Sequence, residues 1–277
     1  MATANRVEQA YLTACLAELT ALKPGNVHAY AAGHRMAVAD FETSARVSAP
    51  AIAAPGLTVG ERILTALRRT REAVSSNTNL GILLLCAPVA QAALRSTDRD
   101  LRQGLHAVLE ALTVDDAVNA YEAIRLANPG GLGDSPRHDV REPPRITLLE
   151  AMRVASDRDR IAAQYITDFA DVFGLGLDRL TAGRQRWREF EWAISSTYLG
   201  FLGAFPDSHI QRKFGLETAE AVMIEARKFD TLLSGTPDPS VILSDLQTFD
   251  SALKLKDINP GTSADLTVAT LFVSNLQ

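Results

Sequence analysis

The sequence predicts an all-α protein, a single compact multi-helix domain over residues 1–277 built from about twelve helices. Three observations carry that reading. Apolar residues recur every three or four positions, as in Val7, Ala10, Tyr11, Ala14, Cys15 and Leu22, the spacing of one buried helical face. Two helix-start boxes occur, Thr58 three positions before Glu61 and Thr147 three before Glu150, and Thr113 ahead of Val114, Asp115 and Asp116 marks a third helix start. In such a box hydroxyl and carboxylate satisfy N–H groups that the first turn leaves unpaired. Strand-like alternation is nearly absent.

Taken in order, the first helix covers 5–22 and stops at Lys23-Pro24-Gly25, because proline cannot continue it and glycine lets the chain turn sharply. Helices follow over 36–52, over 60–75 from the Thr58 box, and over 81–95, the most apolar stretch. That stretch contains Pro88 and is too short to span a bilayer. Helices over 98–111 and 114–127 lead into residues 128–145, where repeated Pro and Gly exclude regular helix. A loop of that length in a compact protein suits a substrate lid, or else a surface insertion. The remaining helices are placed over 146–156, 159–174, 181–203, 215–233, 239–254 and 263–275.

Composition narrows the functions available. The chain is 47% hydrophobic and 22% charged with a formal net charge of −5, ordinary for a soluble protein and opposed to a general nucleic-acid binder, which needs a basic face. Cys15 and Cys86 lie in apolar helical surroundings without a Cys or His partner at ligand spacing, so both read as small buried hydrophobes in a reducing compartment. No secretory signal is visible at the amino terminus. The expected location is cytoplasmic, away from membranes.

Four polar islands interrupt the core-like helices. The first runs from Lys23 through Gly25, Asn26 and His28 to Gly33, His34, Arg35 and Met36; it joins a cation and two imidazoles to exposed backbone, the makings of an anion site, although a Lys-Pro-Gly turn is also a simple helix stop. The second, Ser75-Ser76-Asn77-Thr78-Asn79-Leu80-Gly81, follows Arg71 and suits either a phosphate or ribose contact or a plain N-cap. The third, Asp207-Ser208-His209-Ile210-Gln211-Arg212-Lys213, joins a candidate metal-binding carboxylate to two cations. The fourth, Asn259-Pro260-Gly261-Thr262-Ser263-Ala264-Asp265, opens the last helix, where an acid is favoured by the helix dipole in any case. None of these is a Walker loop, a dinucleotide fingerprint or a zinc spacing.

In this order the four islands resemble the motifs of the triphosphoribosyl-dephospho-CoA synthase family, in a divergent branch. Lys23-Pro24-Gly25-Asn26-Val27, Gly33-His34-Arg35-Met36 and Phe41 to Ser44 are similar to Lys-Pro-Gly-Leu-Val-Asp, Gly-Ala-His-x-Asp-Met and Phe-x-x-Ser. Asn77-Thr78-Asn79-Leu80-Gly81 is similar to Asn-Thr-His-Lys-Gly, and Asn259 to Leu266 to Ser-Pro-Gly-Gly-Ser-Ala-Asp-Leu. Asp207-Ser208-His209 falls where the family has Asp-Thr-Asn ahead of Arg-Gly-Gly. Three departures stand out: Asn79-Leu80 replaces His-Lys, Lys213-Phe214-Gly215 breaks the Arg-Gly-Gly, and residues 129–144 replace a Gly-Ala-Arg-Gly-Glu-Ala region.

The resemblance implies an all-helical transferase that uses ATP as substrate together with Mg²⁺. A ribose hydroxyl of a dephospho-CoA-like acceptor attacks the anomeric carbon of ATP and adenine departs. Lys23, Arg71, Arg212 and Lys213 are then expected to meet phosphate. Gly25, Asn26, Asn77, Thr78, Asn79, Gly81, His209 and Ser263 are expected to line the nucleotide site. Asp207 and Asp265 are expected to bind metal or ribose, and His28 and His34 to move protons. A homodimer is allowed. The departures keep two alternatives open: a phosphoribosyl-transferring or other ATP-dependent enzyme of methanopterin- or methanofuran-type cofactor assembly, and a non-catalytic helical protein that binds a nucleotide or a partner.

Overall fold

The computed structural model describes residues 2–29, 37–95, 100–129 and 139–277. Among them it forms fourteen α-helices and no strand, and no helix is long and apolar enough to cross a membrane. The chain groups into two compact units, the first comprising Met1–Cys15, Ala39–Ala170 and Phe272–Gln277, the second Leu16–Val38 and Asp171–Leu271.

Helix α1 (Ala4–Thr20) begins in the first unit, which then contains α2 (Val38–Ile52), α3 (Val59–Ala73), α4 (Leu80–Arg95), α5 (Leu101–Glu110), α6 (Val114–Ala127), α7 (Leu148–Ala155) and α8 (Arg160–Ile166). Both predicted boxes form, and the helix start expected at Thr113 proves to be a third. Thr58, Thr113 and Thr147 each accept from the backbone three residues on, while Glu61, Asp116 and Glu150 return the bond. Asp116 does more, because its carboxylate also accepts the N–H of Gly60 at 2.8 Å and so joins α6 to α3. A Cβ on Gly60 would lie 2.6 Å from Asp116 Cα, so only glycine permits this approach.

The apolar run of α4 is buried on every side, from Ile82 to Ala93, as all-round hydrophobicity requires. Pro88 sits inside it and removes the N–H that would bond to the carbonyl of Leu84 one turn back. Tyr165 fills the gap: its hydroxyl donates to Leu84 O at 2.6 Å. Arg62, 2% exposed, donates to the carbonyls of Ile52 and Ala54 at the end of α2 and to Gln91; burial lowers its pKa to about 10.

The second unit contains α9 (Leu177–Arg186), α10 (Phe190–Ala204), α11 (Ser208–Phe214), α12 (Leu216–Gly235), α13 (Leu243–Leu255) and most of α14 (Gly261–Leu276). Helix α10 is its spine and packs on α9 and α12, with Tyr198, Leu199 and Leu202 in one apolar cluster with Leu22, Ile210, Ile258 and Ala264. This cluster fixes the backbone from which three of the four islands project.

Two expected helices divide. The one over 159–174 ends with α8 at Ile166, where Asp168 and Phe169 take left-handed φ of 51° and 55° before a π-helical turn over Val172–Gly176. The one over 181–203 becomes α9 and α10, parted by extended residues at Trp187 and Glu189. Neither break holds Gly or Pro, so unbroken apolar spacing concealed both. Conversely α11 forms within the third island, because Asp207 caps it.

Candidate functional site

In the second unit the Lys-Pro-Gly turn is anchored through its backbone. Ser195 Oγ donates to Leu22 O at 2.8 Å, and Tyr198 Oη to Pro24 O at 2.7 Å. Gly25 has φ of +84° and donates its N–H to Asp250 Oδ1 at 2.8 Å. A side chain there would be strained and would strike Pro260, Leu253 and the Ile258 carbonyl within 3.0 Å.

This turn buries Lys23 completely, at 0% exposure. Its ammonium pairs with Glu18 and donates to Asn26 Oδ1. Burial drives the lysine pKa down and the Glu18 pKa up, while their mutual attraction opposes both shifts. Lys254 and Asp265 lie close enough for their charges to act on Lys23. Asn26 completes the link to the fourth island by donating to Asn259 Oδ1 at 2.8 Å.

Asp207 joins the third island to the fourth. It is fully buried, and both oxygens are engaged: Oδ1 accepts the N–H groups of His209 and Ile210, Oδ2 the N–H and hydroxyl of Ser263. Burial raises its pKa against the pull of these donors. His209 also donates its N–H to Thr262 Oγ1, and its ring lies against Gly261, where a Cβ would fall 2.4 Å from Nδ1. Arg212 is half-buried, and Lys213 is exposed and paired with Asp257 at 2.7 Å. Asp265 is half-buried.

His28 is 1% exposed. Its Nε2 lies 3.3 Å from Asp250 Oδ1 and 3.2 Å from Lys254 Nζ, and Lys254 donates to Asp250 Oδ2 at 2.9 Å. Burial and the neighbouring ammonium lower the His28 pKa, against the attraction of Asp250. Burial would raise the Asp250 carboxyl, but the bonds from His28, Lys254 and Gly25 outweigh it and hold the group below the usual range.

The second island belongs to the first unit. Asn77 Oδ1 accepts the N–H of Leu80 and caps α4, while Thr78 shares a hydrogen bond with Ser44. Asn79 donates to Thr70 at 3.0 Å, and its buried Oδ1 has no hydrogen-bond partner among the described residues. Arg71 turns back onto Ser75 O, and Gly81 is half-buried. Gly33, His34, Arg35 and Met36 lie outside the described residues, as do residues 130–138 of the expected lid.

Lys23 thus faces a carboxylate and an amide, and both Asp207 oxygens face donors at the starts of α11 and α14. Among the described residues no three His, Cys, Asp or Glu side chains gather to hold a metal ion. Glu18, Asp250 and Lys254 escaped the sequence reading. Asp250 and Lys254 have the spacing of an ordinary surface pair on a helix, and the one available signal for Glu18 was an acid between Ala17 and Leu19 in the last turn of α1.

A family model described as ATP:dephospho-CoA triphosphoribosyl transferase matches residues 4–277. No curated protein matches the chain. Among solved structures, one from Archaeoglobus fulgidus, provisionally named a triphosphoribosyl-dephospho-CoA synthase, superposes with a TM-score of 0.65 at 24% identity, covering 83% of this chain and 96% of that one. At that identity the likeness speaks for the fold.

Proposed function

Because the chain belongs to the ATP:dephospho-CoA triphosphoribosyl transferase family, we propose that it moves the triphosphoribosyl group of ATP onto a ribose hydroxyl of dephospho-CoA or a close relative of it, with residues 1–277 acting as one functional domain. The acceptor oxygen bonds to the anomeric carbon of ATP as the glycosidic bond to adenine breaks; the hydroxyl loses its proton and adenine takes one up. The observation that carries this reading is the meeting of three islands, distant in sequence, through the Asn26–Asn259 and Asp207–Ser263 contacts.

Asp207, Ser263, Gly25 and Asn26 serve mainly to hold the three islands together, and Lys23 supplies a fixed internal charge. Asp265 is half-buried, and its carboxylate is the group best suited to a ribose hydroxyl or to the positive charge that develops at the anomeric carbon. Arg212, Lys213 and His209 line the approach from α11. Within the first unit, Arg71, Asn77, Thr78, Asn79 and Gly81 gather at the start of α4, where helix N–H groups favour an anion. His28 and His34 remain the candidates for proton movement. With no protein cage for it among the described residues, Mg²⁺ would be held chiefly by the triphosphate and water, as is usual for this ion. The protein is proposed to work in the cytoplasm as a homodimer.

The test is incubation of the purified protein with ATP, Mg²⁺ and dephospho-CoA, with free adenine measured by chromatography and the product by mass. Stoichiometric adenine and a product heavier by one triphosphoribosyl group support the reading. Absence of adenine release with any nucleotide-like acceptor overturns it.

A further inference from the structure

We infer that the groove between α12 and α13 is the subsite for the pantetheine arm of the acceptor, an uncharged chain of methylene, dimethyl and amide groups ending in a thiol. The inference rests on the triphosphoribosyl-transfer reading, which supplies an acceptor of the dephospho-CoA kind. The groove lies wholly within the second unit, and its lining residues stand outside the four islands.

The first argument is the chemistry of the lining. The groove encloses about 660 Å³, within the range of small-molecule sites. Val222 and Phe229 on α12, Phe249 and Leu253 on α13, and Ile258 just beyond form its apolar wall. Phe229 stacks on Phe249 with ring centroids 5.0 Å apart, which links the two helices. Leu232, also in the lining, is left 51% exposed, apolar surface that gains by being covered. The charged lining is balanced, Lys228 and Lys256 against Glu225 and Asp245, and Lys228 pairs with Glu225 at 2.6 Å. A phosphate finds no net attraction in such a groove, whereas an uncharged arm loses nothing to it. Thr218 and Thr248 donate their hydroxyls to Phe214 O and Ser244 O, and a hydroxyl oxygen that donates can still accept from an amide N–H of the arm.

The second argument is continuity with the island cluster. Leu253 and Ile258 line the groove and also wall the Lys-Pro-Gly turn, since a Cβ on Gly25 would lie 2.9 Å from Leu253 Cδ1 and 3.0 Å from the Ile258 carbonyl oxygen. Ile258 directly precedes Asn259, whose side chain accepts from Asn26 at 2.8 Å. The groove therefore shares a wall with the junction of the first and fourth islands. In dephospho-CoA a pyrophosphate separates the arm from the ribose whose hydroxyl reacts. An arm seated in the groove leaves that charged, reacting end to the neighbouring islands, and binding energy from the arm then helps to orient the ribose.

Ala252 lines the groove at an exposed position of α13, so an indole placed there fills the groove without entering the core. Full-length Ala252→Trp and Ala252→Ser proteins would be compared with the parent for pantetheine and ATP binding by calorimetry, for the kinetics of adenine release with dephospho-CoA, and for mass in solution by light scattering. Pantetheine is expected to bind the parent and to compete with dephospho-CoA. Ala252→Trp should weaken pantetheine binding and raise the KM for dephospho-CoA by roughly tenfold or more, as loss of a contact surface requires, with ATP affinity unchanged. Ala252→Ser, which leaves the groove open, should behave as the parent. Should Ala252→Trp fail to fold, Ala221→Trp on the opposite helix serves the same comparison. Unchanged pantetheine affinity and KM in the folded tryptophan variant overturn the inference. So does a change of oligomeric state with acceptor affinity kept, which would make the groove an interface between copies of the chain. If the parent releases no adenine, yet pantetheine binds the parent and not the variant, the groove assignment stands and the transfer reading fails instead.

Discussion

The carboxylate of Asp207 receives both the backbone N–H and the hydroxyl of Ser263 at 2.8 Å, across 56 positions of sequence. The same group caps α11 through His209 and Ile210, so one buried charge closes the start of one helix and grips the first turn of another. Asp207→Asn replaces an acceptor with an amide that must turn a donor toward groups that also donate. The expected cost is about 2–4 kcal/mol, since each stranded buried partner costs roughly 1–3 kcal/mol. Urea denaturation measures it, and a loss below about half a kcal/mol, the size of an ordinary surface substitution, would refute the cap.

Lys23 and Glu18 form the second buried charge centre, and here single and double substitutions should diverge. Lys23→Met leaves Glu18 ionised without its cation or forces it to take a proton, at a cost of about 3–5 kcal/mol. Combining it with Glu18→Leu removes the stranded charge and should restore most of the stability. Equal losses in the single and double variants would show that the two residues are not coupled.

The hydroxyl of Tyr165 answers Pro88 rather than any ligand. Tyr165→Phe would strand the Leu84 carbonyl in the middle of α4 and is expected to cost about 1–3 kcal/mol, with adenine release unchanged at a temperature where the variant is folded. Tyr165→Phe together with Pro88→Ala restores the missing N–H, and the double variant should regain stability. Failure of that rescue would mean that the tyrosine acts otherwise.

Much of this architecture was readable beforehand. Two threonine boxes and the Thr113 helix start gave the starts of α3, α7 and α6, and Pro24 and Pro260 marked the two turns that meet at Gly25. The unreadable parts have a common cause, which is that they depend on neighbours distant in sequence. Nothing local distinguishes Asp250 and Lys254 from a solvated pair, since what buries them is the turn at Gly25. Nor does the sequence of the third island reveal that Asp207 will spend its oxygens on Ser263. The pairing of Lys23 with Glu18 was equally hidden, because Glu18 lies on the preceding helix and reads as part of that helix's face.

Acid should weaken the protein in two separate steps, and the sign follows from burial. His28 is held neutral in the folded protein by burial and the nearby Lys254, with Asp250 opposing. Its folded pKa therefore lies below the ordinary value of 6.5, and the unfolded chain binds more protons between the two. Stability rises with pH across that window and falls as pH drops below about 6.5, by at most about 1.4 kcal/mol per pH unit for one group. Asp250 acts lower down: its depressed carboxyl contributes stability that is fully present above the ordinary carboxylate range and is lost only as pH falls through its folded value. Denaturant melts at pH 7.5, 6.5 and 5.5 isolate the histidine step. His28→Gln should flatten the slope between them, and a variant that keeps the parent slope would assign the acid sensitivity to other groups.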